Sequence, residues 1–177
     1  MIDQKWLVKT FLLLVGLFFF LALTGCGGGG SGSTAGASPS ELEIQAVIDS
    51  FATSVKSQNV SSVMENFDTN LKYYPVNPAV VGGYEDYNQF RSRLANFFTG
   101  ATVTDFKMNS IGIDAGMENV AMARGSLSCS YSVNGQAKEL NEQVEMKLER
   151  VSRWGITEIY AYDSAVGQTG MLFPPQF

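Results

Sequence analysis

An Asn-Gly pair set within a long stretch of period-two alternation constrains this chain more than any other feature. Both residues tolerate the positive φ that a two-residue type I′ turn requires, so Asn134-Gly135 joins two antiparallel strands with no slack. The turn pairs Val133 with Gln136, Cys129 with Leu140, Leu127 with Glu142 and Gly125 with Val144. One face then carries Leu127, Cys129, Tyr131, Val133, Leu140, Val144, Met146 and Leu148, with Glu142 as its one acid. The other carries Arg124, four serines, Glu139, Asn141, Gln143, Glu145, Lys147 and Glu149. A slip of one residue would exchange the two faces, so one side must meet a core and the other water.

The strands of this hairpin run over 120–133 and 137–148. A strand over 103–113 precedes them; its alternation slips near Ser110, as at a β-bulge, and Asp114-Ala115-Gly116 turns it. Trp154–Tyr162 reads as the strand that follows. Upstream the period is that of a helix. Ser38-Pro39-Ser40-Glu41 is a helix start, with Ser as cap, Pro at the first position and Glu at the third. Ile44, Val47, Ile48, Phe51 and Val55 recur at helical spacing behind it. Asn59 reads as a second cap before Val60, Val63, Met64 and Phe67, with Asp68 as the turn residue ending that helix. Leu71–Tyr74 is a short strand before a Pro-rich turn. Tyr84, Tyr87, Phe90, Leu94, Phe97 and Phe98 mark a third helix. The expected fold is α+β: a curved antiparallel sheet of four to five strands wrapped on three N-terminal helices, cone-shaped, with room for a pocket.

The chain has 177 residues, 12 basic and 17 acidic side chains, two cysteines and no histidine. An acidic balance of −5 opposes phosphate binding, so nucleic acid is not an expected partner. Without histidine there is no Ser-His-Asp or Cys-His catalysis and no His-ligated metal, and two cysteines cannot cage zinc. No metal or other cofactor is expected.

The first 25 residues stand apart from the fold. Lys5 and Lys9 make a basic start, Phe11–Leu23 is almost wholly apolar, and Leu23-Thr24-Gly25-Cys26 follows. That last segment resembles the lipobox of bacterial lipoproteins. The resemblance implies cleavage after Gly25, a diacylglyceryl thioether on Cys26 and a fatty-acyl amide on the new amino group, as in palmitate-bearing anchors. Two or more acyl chains, at about 0.8 kcal/mol per buried methylene, hold a protein stably without a membrane span. The chain from Cys26 onward keeps 10 basic and 16 acidic side chains, so anionic headgroups would not attract it and the lipid must supply the attachment. Residues 26–37 then form the lipidated Cys and a Gly/Ser-rich tether, with a reach on the order of 15–20 Å for a coil of that length. Gly27 after the cysteine, rather than Asp, implies the outer membrane if the cell has two. Residues 38–177 form the one globular domain.

The order of elements resembles the nuclear transport factor 2-like (NTF2-like) superfamily, also called cystatin-like or ketosteroid isomerase-like. The landmarks are the paired early helices, Gly83 before the third helix, Asn119-Val120-Ala121, the Asn134-Gly135 hairpin and Trp154-Gly155-Ile156-Thr157-Glu158-Ile159. The resemblance covers residues 40–163 and implies a curved sheet and helices around a pocket. It includes isomerases, dehydratases and many non-catalytic modules, so fold alone chooses no function. Lining up the isomerase branch puts Phe51 in place of its tyrosine, Tyr74 in place of its carboxylate base and Val144 in place of its protonated acid. All three roles are missing, and the absence of histidine weakens a dehydratase reading.

The candidate site residues are therefore few. Glu142 and Tyr74 are the catalytic candidates: a carboxyl on the apolar face is desolvated and its pKa raised, which suits proton transfer. Phe51, Tyr73, Tyr74, Tyr131, Glu142, Val144 and Trp154 are the pocket candidates. Cys129 reads as a small buried apolar residue. The tail Met171–Phe177 is apolar for a free end; docking on the domain, closing a pocket mouth and binding another chain all fit it. Three functions remain open. The first is a membrane-anchored, non-catalytic envelope module binding a small apolar ligand or a protein partner. The second is a cavity enzyme of isomerase or lyase type using Glu142 and Tyr74. The third is a subunit of an envelope assembly, with a homodimer through the sheet face. A deep pocket with Glu142 inward favours the enzyme; a filled core favours assembly.

Overall fold

Ser38 begins the described domain as the cap of helix α1 (Pro39–Lys56): its side chain accepts from the Glu41 amide at 3.2 Å, and the Glu41 carboxylate accepts from the Ser38 amide. The computed structural model describes residues 38–75, 83–163 and 172–174. Residues 1–37, on which the expected signal segment, lipidated Cys26 and tether fall, lie outside the described residues. Ile44, Ile48, Phe51 and Val55 form the buried stripe of α1. Asn59 caps the short helix α2 (Val60–Met64), accepting from the Ser62 amide at 3.1 Å.

The chain enters strand β1 (Phe67–Tyr74) earlier than expected, so Asp68 lies within a strand rather than at a helix end; its carboxylate accepts from the Asn70 amide at 3.1 Å. A two-residue strand, β2 (Glu85–Asp86), leads into helix α3 (Tyr87–Gly100). Asp86 caps α3, with Gln89 closing the box, and Tyr84 is left outside the helix, 53 % exposed. A meander of β3 (Thr102–Met117), β4 (Val120–Val133), β5 (Gln136–Arg150) and β6 (Trp154–Asp163) completes the fold.

The sheet is curved and open, with strand order β2-β1-β6-β5-β4-β3. It has six strands because β1 and the short β2 both join it. Every pairing is antiparallel except β1 with β6. Between those two the chain passes through α3 and the meander, the long connection that parallel pairing needs. Asn134 and Gly135 have φ of 51° and 78°, as the type I′ turn demands. All four pairs expected across that turn are present, and the faces divide as the alternation requires.

The slip near Ser110 is a bulge: Ser110 has φ 53°, and the β3–β4 register shifts between Asn109 and Gly112. Gly125 makes that bulge possible. A Cβ there would stand 2.8 Å from the Asn109 carbonyl oxygen and closer still to the Ile111 side chain. Gly125→Ala should therefore cost about 1–3 kcal/mol, read as a lowered urea midpoint, because backbone cannot yield as a side-chain end can. An unchanged midpoint would mean that β3 can slide away from β4.

The core lies between the inner sheet face and the helices. Phe51 meets Phe67 and Phe106 edge-on, each at 5.5 Å between ring centroids, and Phe67 meets Phe90 at 5.3 Å. Lys56 of α1 pairs with Asp105 of β3 at 3.1 Å. Hydrogen bonds from Lys107 and Lys56 hold the Asp105 carboxyl down to about 2.

Candidate functional site: the inner face of the sheet

Strand alternation decides which candidates share the interior. Tyr73 and Tyr74 are neighbours on β1 and so face opposite ways. Tyr73 is fully buried, and its hydroxyl donates to the Leu172 carbonyl at 3.3 Å. Tyr74 stands on the outer face, stacked on Tyr160 at 4.5 Å with rings 3° from parallel. Glu142 lies inward, 5 % exposed, opposite Leu127 of β4. The expected partnership of Glu142 with Tyr74 is therefore broken by the sheet itself. Tyr73 is the tyrosine within electrostatic reach of Glu142. Burial, and to a lesser degree the Glu85 and Glu142 charges, push the Tyr73 hydroxyl well above the ordinary tyrosine range; the Arg93 charge partly offsets them.

The other pocket candidates are packing residues of the same interior. Phe51 and Val144 are buried in it. Tyr131 meets Phe97 edge-on at 5.2 Å, and burial raises its hydroxyl pKa. Trp154 is buried at the start of β6, its indole N–H donating to Glu43 at 3.1 Å. Cys129 is buried opposite Leu140, and desolvation pushes its thiol up to about 12. Among the described residues no group of three or more His, Cys, Asp or Glu side chains is placed to hold a metal.

One contributor escaped the sequence, and a second was left open by it. Arg93 sits over the Tyr73 ring at 5.7 Å and pairs with Glu85, whose hydrogen bond raises the guanidinium pKa further. Its position three residues after Phe90 and four before Phe97, on the buried face of α3, was the available signal. The second is the tail. Phe173 is 1 % exposed, with its ring among those of Phe90, Phe97, Phe98 and Phe106 at 5.4–6.2 Å. Its carbonyl accepts from Arg93 at 3.5 Å. Docking on the domain, one of the three expectations for the tail, is what Leu172 and Phe173 do.

Phe173 reaches this position at a cost. Its φ is 56°, in the left-handed region, and it precedes Pro174, which disfavours all but extended backbone. Such strain costs about 1–3 kcal/mol, while burying a Phe side chain gains about 1.5–3 kcal/mol. The strain offsets much of what the Phe173 ring gains, and the burial of Leu172, also 1 % exposed, adds to the hold on the tail.

A second feature occupies the α1–β3 side: an open groove of about 390 Å³ lined by Asp49, Ala52, Thr53, Lys56 and Phe106–Asn109. Its lining mixes the charged Asp49, Lys56 and Lys107 with the apolar Ala52, Phe106 and Met108. The outer sheet face carries Tyr74, Tyr160 and Tyr84, with Lys72 over the Tyr84 ring at 5.6 Å and the Tyr160 hydroxyl donating to Glu158 at 2.5 Å. Burial and that carboxylate raise the Tyr160 pKa.

These features make an α+β domain with the NTF2-like fold, and solved structures share that fold. A proposed aromatic ring hydroxylase from Novosphingobium aromaticivorans superposes with a TM-score of 0.62 at 15 % identity, covering 78 % of this chain and 94 % of its own. A proposed calcium/calmodulin-dependent protein kinase II association domain from Xanthomonas campestris gives 0.59 at 15 %, covering 73 % and 94 %. An NTF2-like protein from Cytophaga hutchinsonii gives 0.57 at 7 %, covering 71 % and 98 %. No protein-family model matches the chain, and no curated protein matches it by sequence. Identities this low establish the fold and leave the chemistry to the residues.

Proposed function

We propose that this chain is a bacterial lipoprotein, held on an envelope membrane by acyl chains on Cys26, whose NTF2-like domain is a non-catalytic module for a small apolar ligand or a protein partner. The observation that carries the non-catalytic reading is the burial of Phe173 among the aromatic side chains of the interior. Phe173 occupies the space beside Tyr73 and Arg93, and Tyr74, the proposed partner of Glu142, is on the far side of the sheet. The isomerase-type positions hold Phe51, Tyr74 and Val144, none of which can play the corresponding acid, base or donor role inside the cone. The anchor rests on Lys5, Lys9, the apolar run and Leu23–Cys26, and Gly27 favours the outer membrane where there are two.

The outer sheet face favours a second reading, as a subunit of an envelope assembly. Tyr84 is exposed beside the Tyr74–Tyr160 stack, and aromatic surface of this kind is typical of interfaces. Likeness to an association domain supports a homodimer there.

The test is metabolic labelling. The wild-type chain should take up labelled palmitate in a bacterial host and sediment with membranes. Cys26→Ser should take up none. Equal labelling of both chains would overturn the lipoprotein reading.

A further inference from the structure

The buried tail residues are arranged as a ligand is arranged in a site. Two successive carbonyls meet two donors of the interior: the Tyr73 hydroxyl donates to Leu172 and the Arg93 guanidinium to Phe173. The side chain between those carbonyls enters an aromatic bed, stacking on Phe106 with rings 13° from parallel and tilting against Phe97 at 5.4 Å. The described part of the tail belongs to no helix or strand. Both hydrogen bonds are long, and the backbone that delivers the ring is strained. Both features weaken the hold on this segment.

We propose that Leu172 and Phe173 are an intramolecular ligand in a site made by Tyr73, Phe90, Arg93, Phe97, Phe98 and Phe106, and that the site's exchangeable ligand is a neutral aromatic carbonyl compound. The aromatic bed selects the ring and the two donors select the carbonyl. Neutrality follows from charge: Glu85 already matches Arg93, so an anion would meet a cation that is paired. The tail then sets a threshold, because apparent affinity falls in proportion to the fraction of molecules with the site vacated. This inference rests on the reading of the domain as a binding module and adds the ligand's chemistry to it.

The experiment titrates the full chain in nanodiscs with 4-phenylbutan-2-one, using empty nanodiscs as the blank for partitioning into lipid. Phe173→Ala should bind the ketone at least tenfold more tightly than the wild type. Butylbenzene, which lacks the carbonyl, should bind that variant at least fivefold more weakly than the ketone, and adding Tyr73→Phe should shrink this difference. Equal ketone affinity of the wild type and a folded Phe173→Ala would overturn the proposal. If the alanine variant does not fold, Phe173→Leu serves, with a gain of at least threefold expected. Failure of both to fold would make Phe173 an obligatory core residue and overturn the proposal as well. Conversion of the bound ketone to product would support the site but overturn the non-catalytic reading; the palmitate result is independent of either.

Discussion

In a Cys26→Ser chain, where Cys129 is the sole thiol, iodoacetamide at pH 8 is expected to alkylate the folded protein roughly a thousandfold more slowly than the urea-unfolded one. The thiolate is the reactive form. A free cysteine near pKa 8.5 is about one-quarter ionised at pH 8, whereas desolvation pushes the Cys129 thiol up to about 12. Its 2 % exposure adds a steric barrier to the chemical one. The same shift has a consequence for stability. The folded pKa lies above the unfolded one, so the native state holds its proton more tightly. The stabilisation is complete below about pH 8.5 and is lost as pH rises toward 12. Tyr73, also raised by burial, acts in the same direction above about pH 10. Alkaline titration of the unfolding midpoint should therefore slope downward from pH 8.5, and Cys129→Ala should flatten the first part of that slope. Folded-state alkylation within tenfold of the unfolded rate would place Cys129 at the surface and contradict the hairpin register.

Phe90→Ala should cost about 3–5 kcal/mol, enough to remove a third or more of a typical domain's stability. Phe90 is fully buried on α3 and joins three elements: its ring meets Phe67 and Tyr73 of β1 and Phe173 of the tail. The cavity left by truncation cannot collapse easily, because β1, against which the ring packs, is held in the sheet by its own pairings. Urea unfolding followed by far-UV circular dichroism measures it. Phe98→Ala is the control: Phe98 is only partly buried and should lose less than half as much. Equal losses at the two positions would mean that the aromatic bed has no centre.

The hairpin was legible because its information is local. Asn134-Gly135 dictates a turn with two positive φ angles, and the period of two then assigns every side chain from Val120 to Leu148 to a face. The helix caps at Ser38 and Asn59 were legible for the same reason: donor and acceptor lie three residues apart. Tyr74 was misassigned because a two-residue choice, Tyr73 or Tyr74 inward, depends on how β1 meets β6. That pairing is parallel and joins residues more than 80 positions apart, so no local period contains it.

Arg93 and the tail divide the same way. Spacing along α3 places Arg93 on the buried face, but its pairing with Glu85 and its seat over Tyr73 depend on β1, β2 and α3 converging. From the sequence alone came the α+β class, the β4–β5 register, the inward side of Glu142, the burial of Cys129 and the expectation of a lipid anchor. Only the tertiary structure decided that Tyr73 and not Tyr74 is buried on the inner face, and that Phe173 is buried at a positive φ. The first set follows from periodicities and turn stereochemistry acting over a few residues. The second follows from burial, where the favourable exclusion of one ring from water outweighs the local backbone preference that a sequence reading relies on.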